Sequence, residues 1–183
     1  LAKQRPDLDV ELLDLRDYPL PFFEEALPPG LAKDEYSNPV VMRWRDKIRE
    51  ADGFIICTPE YNHGYPAVLK NALDYVYLAW SRKAVAFVSW GGAGGARGVQ
   101  QLRQVAVELD MAPLRFAVHI QNPWFIKGEE EIAADPQHQH AAKVLLDREM
   151  DADHNRCVIT LVGDRESIAE ATALLHQLKR QFG

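Results

Sequence analysis

Along this chain the spacing of apolar positions switches between a strand-like and a helix-like period, and each switch marks an element. Residues 10–15 (VELLDL) form a short strand between Pro6 and Asp17, and residues 1–5 read as the last turn of a preceding helix. Over 17–30, Pro19, Pro21, Pro28 and Pro29 exclude regular structure. Leu20, Phe22 and Phe23 still call for burial, so an ordered loop is expected there. Ser37 or Asn38 caps the next helix, with Pro39 in its first turn and Val41, Trp44, Ile48 and Ala51 on one face. Residues 53–58 (GFIICT) are almost continuously apolar, which suits a strand covered on both faces of a parallel sheet.

Pro66 opens a helix predicted through Ala79, with Val68, Leu69, Ala72, Val76 and Ala79 as its buried stripe. A strand at 84–89, a helix at 98–109 with Leu102, Val105, Ala106 and Leu109 inward, and a strand at 115–120 follow. After Pro136 come a helix at 137–149, a strand at 156–162 and a helix at 165–182. Strands alternating with helices through short links predict an α/β fold with a doubly wound parallel sheet and right-handed crossovers. No internal repeat interrupts it.

Composition narrows the function. With 21 Lys and Arg against 27 Asp and Glu, the net charge of −6 argues against a general basic surface for nucleic acid. Hydrophobic residues make up 47% of the chain, yet no apolar run approaches the roughly 20 residues that a membrane helix needs. Cys57 and Cys157 cannot build a disulfide framework by themselves, and no apolar signal core opens the sequence, so a reducing cytoplasm is expected. His138, His140, His154 and Cys157 are better read as solvated or structural positions than as metal ligands. Cys57, in an apolar strand, reads as a small buried hydrophobe. Trp44, Trp80 and Trp124 read as core or interface.

Ligands of an open parallel sheet sit beyond the carboxyl ends of the strands, where loops enter helices. Two loops hold that position. One, 58–66, reads Thr-Pro-Glu-Tyr-Asn-His-Gly-Tyr-Pro and can offer backbone amides and an aromatic ring to a flat ligand. The other, 89–98, reads Ser-Trp-Gly-Gly-Ala-Gly-Gly-Ala-Arg-Gly, whose glycines allow close backbone approach. It lacks the Lys-Ser/Thr ending of a P-loop and the G-x-G-x-x-G spacing of a dinucleotide fold.

Pro59-Glu-Tyr-Asn-His-Gly-Tyr-Pro-Ala-Val-Leu-Lys-Asn-Ala-Leu-Asp74, with Ala86-Phe-Val-Ser-Trp-Gly-Gly-Ala-Gly-Gly-Ala-Arg97 and Gln101-Leu-Arg103, closely resembles the NADPH-dependent FMN reductase family of flavodoxin-like proteins. The resemblance runs over residues 1–146 and implies a flavodoxin-like domain there. It implies FMN and NADPH or NADH as cofactors. Hydride would pass to the flavin and on to a small-molecule acceptor such as a quinone, an azo dye or free flavin, with no acid or base residue demanded. It implies flavin contacts at Pro59, Glu60, Tyr61, Asn62, His63 and Gly64 in the first loop. In the second it implies contacts at Ser89, Gly91, Gly92, Gly94, Gly95 and Arg97. It also implies a homodimer or homotetramer.

Family members open with a strand, a phosphate loop of the type G-S-x-R-x-x-S and a helix, whereas this sequence enters at the end of that helix. The first strand-helix unit, with its FMN phosphate anchor, is therefore expected to be missing or replaced. The segment 147–183 resembles the N-terminal subdomain of glutamate formiminotransferases, so a chimeric chain, an inactive scaffold or a formiminotransferase fragment are the alternative expectations. Its strand is a candidate filler for the vacant slot between the strands at 10–15 and 53–58, packed into the same domain. A circularly permuted unit of this kind would bring Arg165 and Ser167 to the phosphate site, although Asp164 and Glu166 would repel a phosphate there.

Overall fold

The computed structural model describes residues 9–33, 35–122 and the strand 158–163. The predicted helices at 137–149 and 165–182, together with Trp124, Cys157, Arg165, Ser167 and the histidines at 138, 140 and 154, lie outside the described residues. In chain order the elements are β1 (Asp9–Asp14), a 3-10 turn (Leu15–Asp17), a short α1 (Pro29–Ala32) and α2 (Pro39–Glu50). They continue with β2 (Gly53–Pro59), α3 (Ala67–Asp74), β3 (Ala84–Gly91), α4 (Ala96–Glu108), β4 (Ala112–Gln121) and β5 (Val158–Gly163). The sheet order is β1-β5-β2-β3-β4.

β2, β3 and β4 are parallel, joined through α3 and α4 as the alternation predicts. Period-two alternation along the strands separates two faces. Leu13, Phe54, Ile56, Val85 and Phe87 pack with Trp44 and Ile48 of α2, Leu69 and Leu73 of α3, and Val99 and Leu102 of α4 in one large core. Cys57, Val88 and Ile120 form a smaller cluster with Ile55, Trp90 and Val118 on the other face. Cys57 is buried, in line with the reading of it as a small hydrophobe.

β5 occupies the slot between β1 and β2, as anticipated, but in the opposite direction. It is antiparallel to both neighbours, with Val158 beside Asp14 and Cys57, Gly163 beside Asp9, and Val162 beside Gly53. A parallel, circularly permuted unit is thereby ruled out. β4 ends with Gln121 opposite Gly91 at the carboxyl edge, and β5 begins at that same edge. Gly163, the last residue of β5, stands at the edge opposite the 59–65 loop.

α3 stops at Asp74, short of the predicted Ala79. The stripe misled because Tyr75, Val76, Ala79 and Trp80 remain buried in a non-helical turn. The helix end is stabilised from the core. The indole N–H of Trp44 donates to the Ala72 carbonyl at 2.8 Å, and that of Trp80 to the Leu73 carbonyl at 3.2 Å, serving two carbonyls that lack helical partners. The two indoles meet edge-on at 6.0 Å, and Phe54 packs on Trp80 at 4.8 Å. Two residues expected inside are outside: Phe22 is 88% exposed and Val68 46%. The proline loop is also fixed through its backbone, with Phe23 N–H donating to Asn71, Asn71 to the Pro21 carbonyl, and the Tyr75 hydroxyl to the Phe22 carbonyl. Leu20 and Phe23 do pack against the core as expected, the Phe23 ring meeting Tyr75 edge-on at 5.3 Å.

β4 begins at Ala112, before the predicted 115, because Pro113 is tolerated where the strand borders the sheet's end. Its ladder slips between the pairs Val85 with Pro113 and Phe87 with Ala117. Arg103 of α4 takes up the displaced carbonyls, donating to Leu114 and, at 2.8 Å, to Arg115 while its guanidinium lies 5.3 Å from the Phe87 ring centroid. Burial lowers the pKa of this guanidinium.

Replacing Trp44 by Phe keeps an aromatic ring but removes the donor to a buried carbonyl, and should cost about 1–3 kcal/mol in urea unfolding. A stability within error of the parent would show that the Ala72 carbonyl does not need that cap.

Candidate functional site

The two loops singled out in the sequence leave the carboxyl ends of neighbouring strands, and the structure joins them. After Pro59 the Glu60 N–H donates to the Trp90 carbonyl at 2.9 Å, extending the β2-β3 ladder by one rung. The chain then reverses in a two-residue turn. Tyr61 and Gly64 exchange both backbone hydrogen bonds, at 2.8 and 2.9 Å, around Asn62 (φ 50°) and His63 (φ 72°). Positive φ at both central residues defines a type I′ turn, for which Asn is well suited and His is not. His63 is held there by contacts: its Nε2 lies 2.7 Å from Arg97 Nη1, and its carbonyl accepts from Gln101 Nε2 at 3.1 Å.

The glycine loop is shaped by what lies beneath it. Gly95 has φ 76°, and a Cβ there would lie 2.5 Å from Ser89 Cβ and 2.8 Å from the Trp90 nitrogen, so no other residue fits. α4 starts directly after it, at Ala96, with no side chain from its own N-cap to serve its first amides. Glu60 supplies the missing acceptor from the other loop. Its Oε2 accepts from the backbone N–H groups of Arg97 at 3.0 Å and Gly98 at 3.3 Å, while its Oε1 accepts from Arg97 Nε at 2.6 Å and pairs with Arg97 Nη2.

The Glu60 side chain is nearly buried, at 4% exposure, while Arg97 remains half exposed. Burial pushes the Glu60 carboxyl up, but the hydrogen bonds from Arg97 and Gly98 and the Arg97 charge outweigh it, and its pKa falls below the ordinary 4.5. Asn62, His63, Gly92, Ala93 and Arg97 are left exposed at the rim of the two loops.

All twelve sequence-predicted positions therefore fall on these two adjoining loops. The structure divides them by task. Glu60 turns its carboxylate into the protein, Ser89 is fully buried and Gly95 is a packing position, whereas Asn62, His63, Gly92 and Arg97 face outward. The residue that sequence reasoning missed is His119. It lies opposite Ser89 across β3 and β4, with Nδ1 2.8 Å from Ser89 Oγ and 3.2 Å from the Gly94 carbonyl. The Ser89 hydroxyl also reaches the Gly94 carbonyl at 2.8 Å, so serine, histidine and the loop carbonyl form one cluster. Only the strand register, which local pattern does not disclose, brings His119 beneath the glycine loop.

The model of the NADPH-dependent FMN reductase family matches residues 1–124, a span that contains both loops. The chain belongs to this family. An NAD(P)H-dependent FMN reductase of Schizosaccharomyces pombe is 37% identical over 137 residues, which are 74% of this chain and 68% of that protein. An NAD(P)H:quinone oxidoreductase of Solanum tuberosum is 41% identical over 108 residues, 57% of this chain and 53% of that protein. The chain thus spans about two thirds of one reductase and about half of the other. Among solved structures, FerB, a flavoenzyme NAD(P)H:(acceptor) oxidoreductase from Paracoccus denitrificans, superposes with a TM-score of 0.53 at 23% identity. The superposition covers 70% of this chain and 72% of that one, and shows that the reductase fold is shared.

Among the described residues no helix is long and apolar enough to cross a membrane, and no group of three or more His, Cys, Asp or Glu is placed to hold a metal ion.

Because the Glu60 pKa is depressed on folding, its contribution is complete above about pH 4.5 and is lost as the pH falls through the lower folded value. Glu60→Gln should lower stability at pH 7 by about 1–2 kcal/mol. The gap in melting temperature from the parent should narrow progressively as the pH falls below 4.5. A gap that stays constant from pH 7 to pH 3 would contradict a charged clasp.

Proposed function

We propose that this chain is the flavin-binding part of an NAD(P)H-dependent reductase that passes electrons to a small-molecule acceptor of the quinone, azo or flavin type. The observation that carries the reading is the union of the two family loops through Glu60 and Arg97 into one exposed platform at the carboxyl edge of a parallel sheet. The residues present fit a flat ring. The platform rim is a reversing turn and a glycine loop, and a Cβ at Gly91, Gly94 or Gly95 would meet Glu60, His119 or Ser89 beneath it, so the glycines let the loop lie close on its support.

In this reading Pro59, Tyr61, Asn62, His63 and Gly64 line one side of the ring and Gly91, Gly92 and Gly94 border the other. Glu60, Ser89, Gly95 and Arg97 hold the two sides in register. A bound flavin would supply the redox chemistry, taking hydride from the nicotinamide and giving electrons to the acceptor. The chain's own residues bind and orient, and no acid or base side chain is required of them. The relatives' printed activities, FMN reduction and quinone reduction, support this class of reaction. The comparisons give no support to the alternative of an inactive chimeric scaffold. We further infer a cytoplasmic homodimer or homotetramer, with residues 147–183 part of the same domain as 1–146. Exposed Phe22, Leu27, Leu31 and Val107 offer apolar surface for self-association.

Purified protein should quench flavin fluorescence on binding and oxidise NAD(P)H when a quinone is added. The double variant Asn62→Trp, Gly64→Val should lose at least tenfold in flavin affinity while keeping its far-ultraviolet circular dichroism. Unchanged flavin affinity in that folded variant would place the ring elsewhere.

A further inference from the structure

An arginine guanidinium carries only donors, so a nitrogen within hydrogen-bond distance of it has to offer a lone pair. His63 Nε2 lies 2.7 Å from Arg97 Nη1, which fixes the ring as neutral with its proton on Nδ1. A protonated His63 in the same place would set the N–H groups of two cations against each other. The other groups facing His63 give that proton no acceptor. From α4 comes the neutral Gln101 amide, which donates to the His63 carbonyl at 3.1 Å and not to the ring. From its own loop comes Glu60, whose two oxygens are taken by Arg97 and the Gly98 N–H. Because its pKa lies below 4.5, Glu60 stays charged through the range in which histidines titrate.

The contact joins two groups that are poorly matched. A neutral imidazole is a weaker acceptor for a guanidinium than an anionic oxygen is, and His63 sits at φ 72°, a conformation that costs a residue with a Cβ. Nε and Nη2 of Arg97 face Glu60, which leaves Nη1 as the outward corner, with the His63 ring upon it. Arg97 is half exposed, His63 is exposed, and both stand on the rim where the two loops meet. On a chain of net charge −6, this corner brings two cations side by side once one proton is added. An anion with two oxygens satisfies both, one oxygen replacing the imidazole lone pair at Nη1 and the other receiving the Nε2 proton.

We propose that His63 and Arg97 form a proton-linked receptor for a phosphate group of the nicotinamide dinucleotide. Phosphate displaces the imidazole from Nη1, His63 takes up one proton from solvent at Nε2, and imidazolium and guanidinium hold the anion from two sides. The clasp to Glu60 is kept, since it uses Nε and Nη2. The placement suits the reductant. A nicotinamide has to lie against the flavin ring to pass hydride, so its phosphates trail across the rim on which these side chains stand. The inference rests on the reading of the two loops as a flavin platform and goes beyond it by naming the residues, and the protonation change, that receive the anionic part of the reductant. The pyrophosphate common to NADH and NADPH and the 2′-phosphate of NADPH share the chemistry required.

The test is calorimetric titration of the flavin-loaded 183-residue chain with NADP+ and with NAD+, which bind without turnover, at pH 6, 7 and 8 and in two buffers of different ionisation heat. Quenching of flavin fluorescence is followed on the same samples. Affinities about tenfold higher at pH 6 than at pH 8 are expected, with net proton uptake on binding at pH 7. The same dependence for both nucleotides assigns the pyrophosphate to the pair, and dependence for NADP+ alone assigns the 2′-phosphate. His63→Asn suits a turn position of positive φ and cannot titrate, so it should keep the fold and lose the part of the pH dependence and proton uptake that the nucleotide's own phosphate does not supply. Equal affinity at pH 6 and pH 8 in the parent, no binding of either nucleotide, or a dependence unchanged in His63→Asn would overturn the inference while persistent flavin quenching leaves the platform reading standing. Failure of the parent to bind flavin would overturn both.

Discussion

The carboxylate of Glu60 at the amino end of α4 is the contact on which the site depends. A glycine loop that enters a helix through Gly95 has no side chain of its own to satisfy the first amides, and the helix dipole draws negative charge to that point. Filling the position from a different loop solves the helix's problem and fixes the distance between two segments more than thirty residues apart. Arg97 completes the arrangement, since the same guanidinium reaches His63 and stabilises a turn whose second residue is poorly suited to positive φ. Glu60 and Arg97 thus join the two loops to each other through their side chains.

Behind this platform the core is asymmetric. Among the described residues the helices of eight or more residues, α2, α3 and α4, pack on one face of the sheet, around Trp44, Trp80 and Phe54. The two tryptophans do more than fill space: their indole N–H groups end α3 where the loop before β3 must begin. Arg103 plays the corresponding part at the other side, satisfying carbonyls of Leu114 and Arg115 where β4 slips its register and so setting the stretch that carries His119 beneath Gly94. In each case one buried polar group settles where an element stops or bends, and thereby where a loop of the site starts.

The alternation of strands and helices, the two loops and the family were legible because each rests on local chemistry: continuous apolar runs for β2 and β3, prolines and glycines for the loops, a long specific motif after Pro59. Features decided across the sheet were not legible. The stripe that extended α3 to Ala79 records burial, which a turn packed into a core shares with a helix. Phe22 is apolar yet exposed, because its loop is held through backbone and Asn71. That β5 enters the slot between β1 and β2 could be anticipated from an unfilled position and an apolar strand, but an apolar run reads the same in either direction, so its antiparallel sense could not. Two residues of opposite fate in the site, Glu60 turned inward and His119 brought in, differ from expectation for the same reason: their partners are distant in sequence.

The account's central claim is that one carboxylate makes the two loops a single unit. Amide hydrogen exchange in the parent and in Glu60→Ala measures this directly. Arg97 and Gly98 must lose protection in the variant, since their acceptor is gone. The account predicts that Tyr61 and Gly64, whose hydrogen bonds to each other do not involve the Glu60 side chain, lose protection by a similar factor. Faster exchange at Arg97 and Gly98 with unchanged protection at Tyr61 and Gly64 would show that the turn stands by itself, and would contradict the claim.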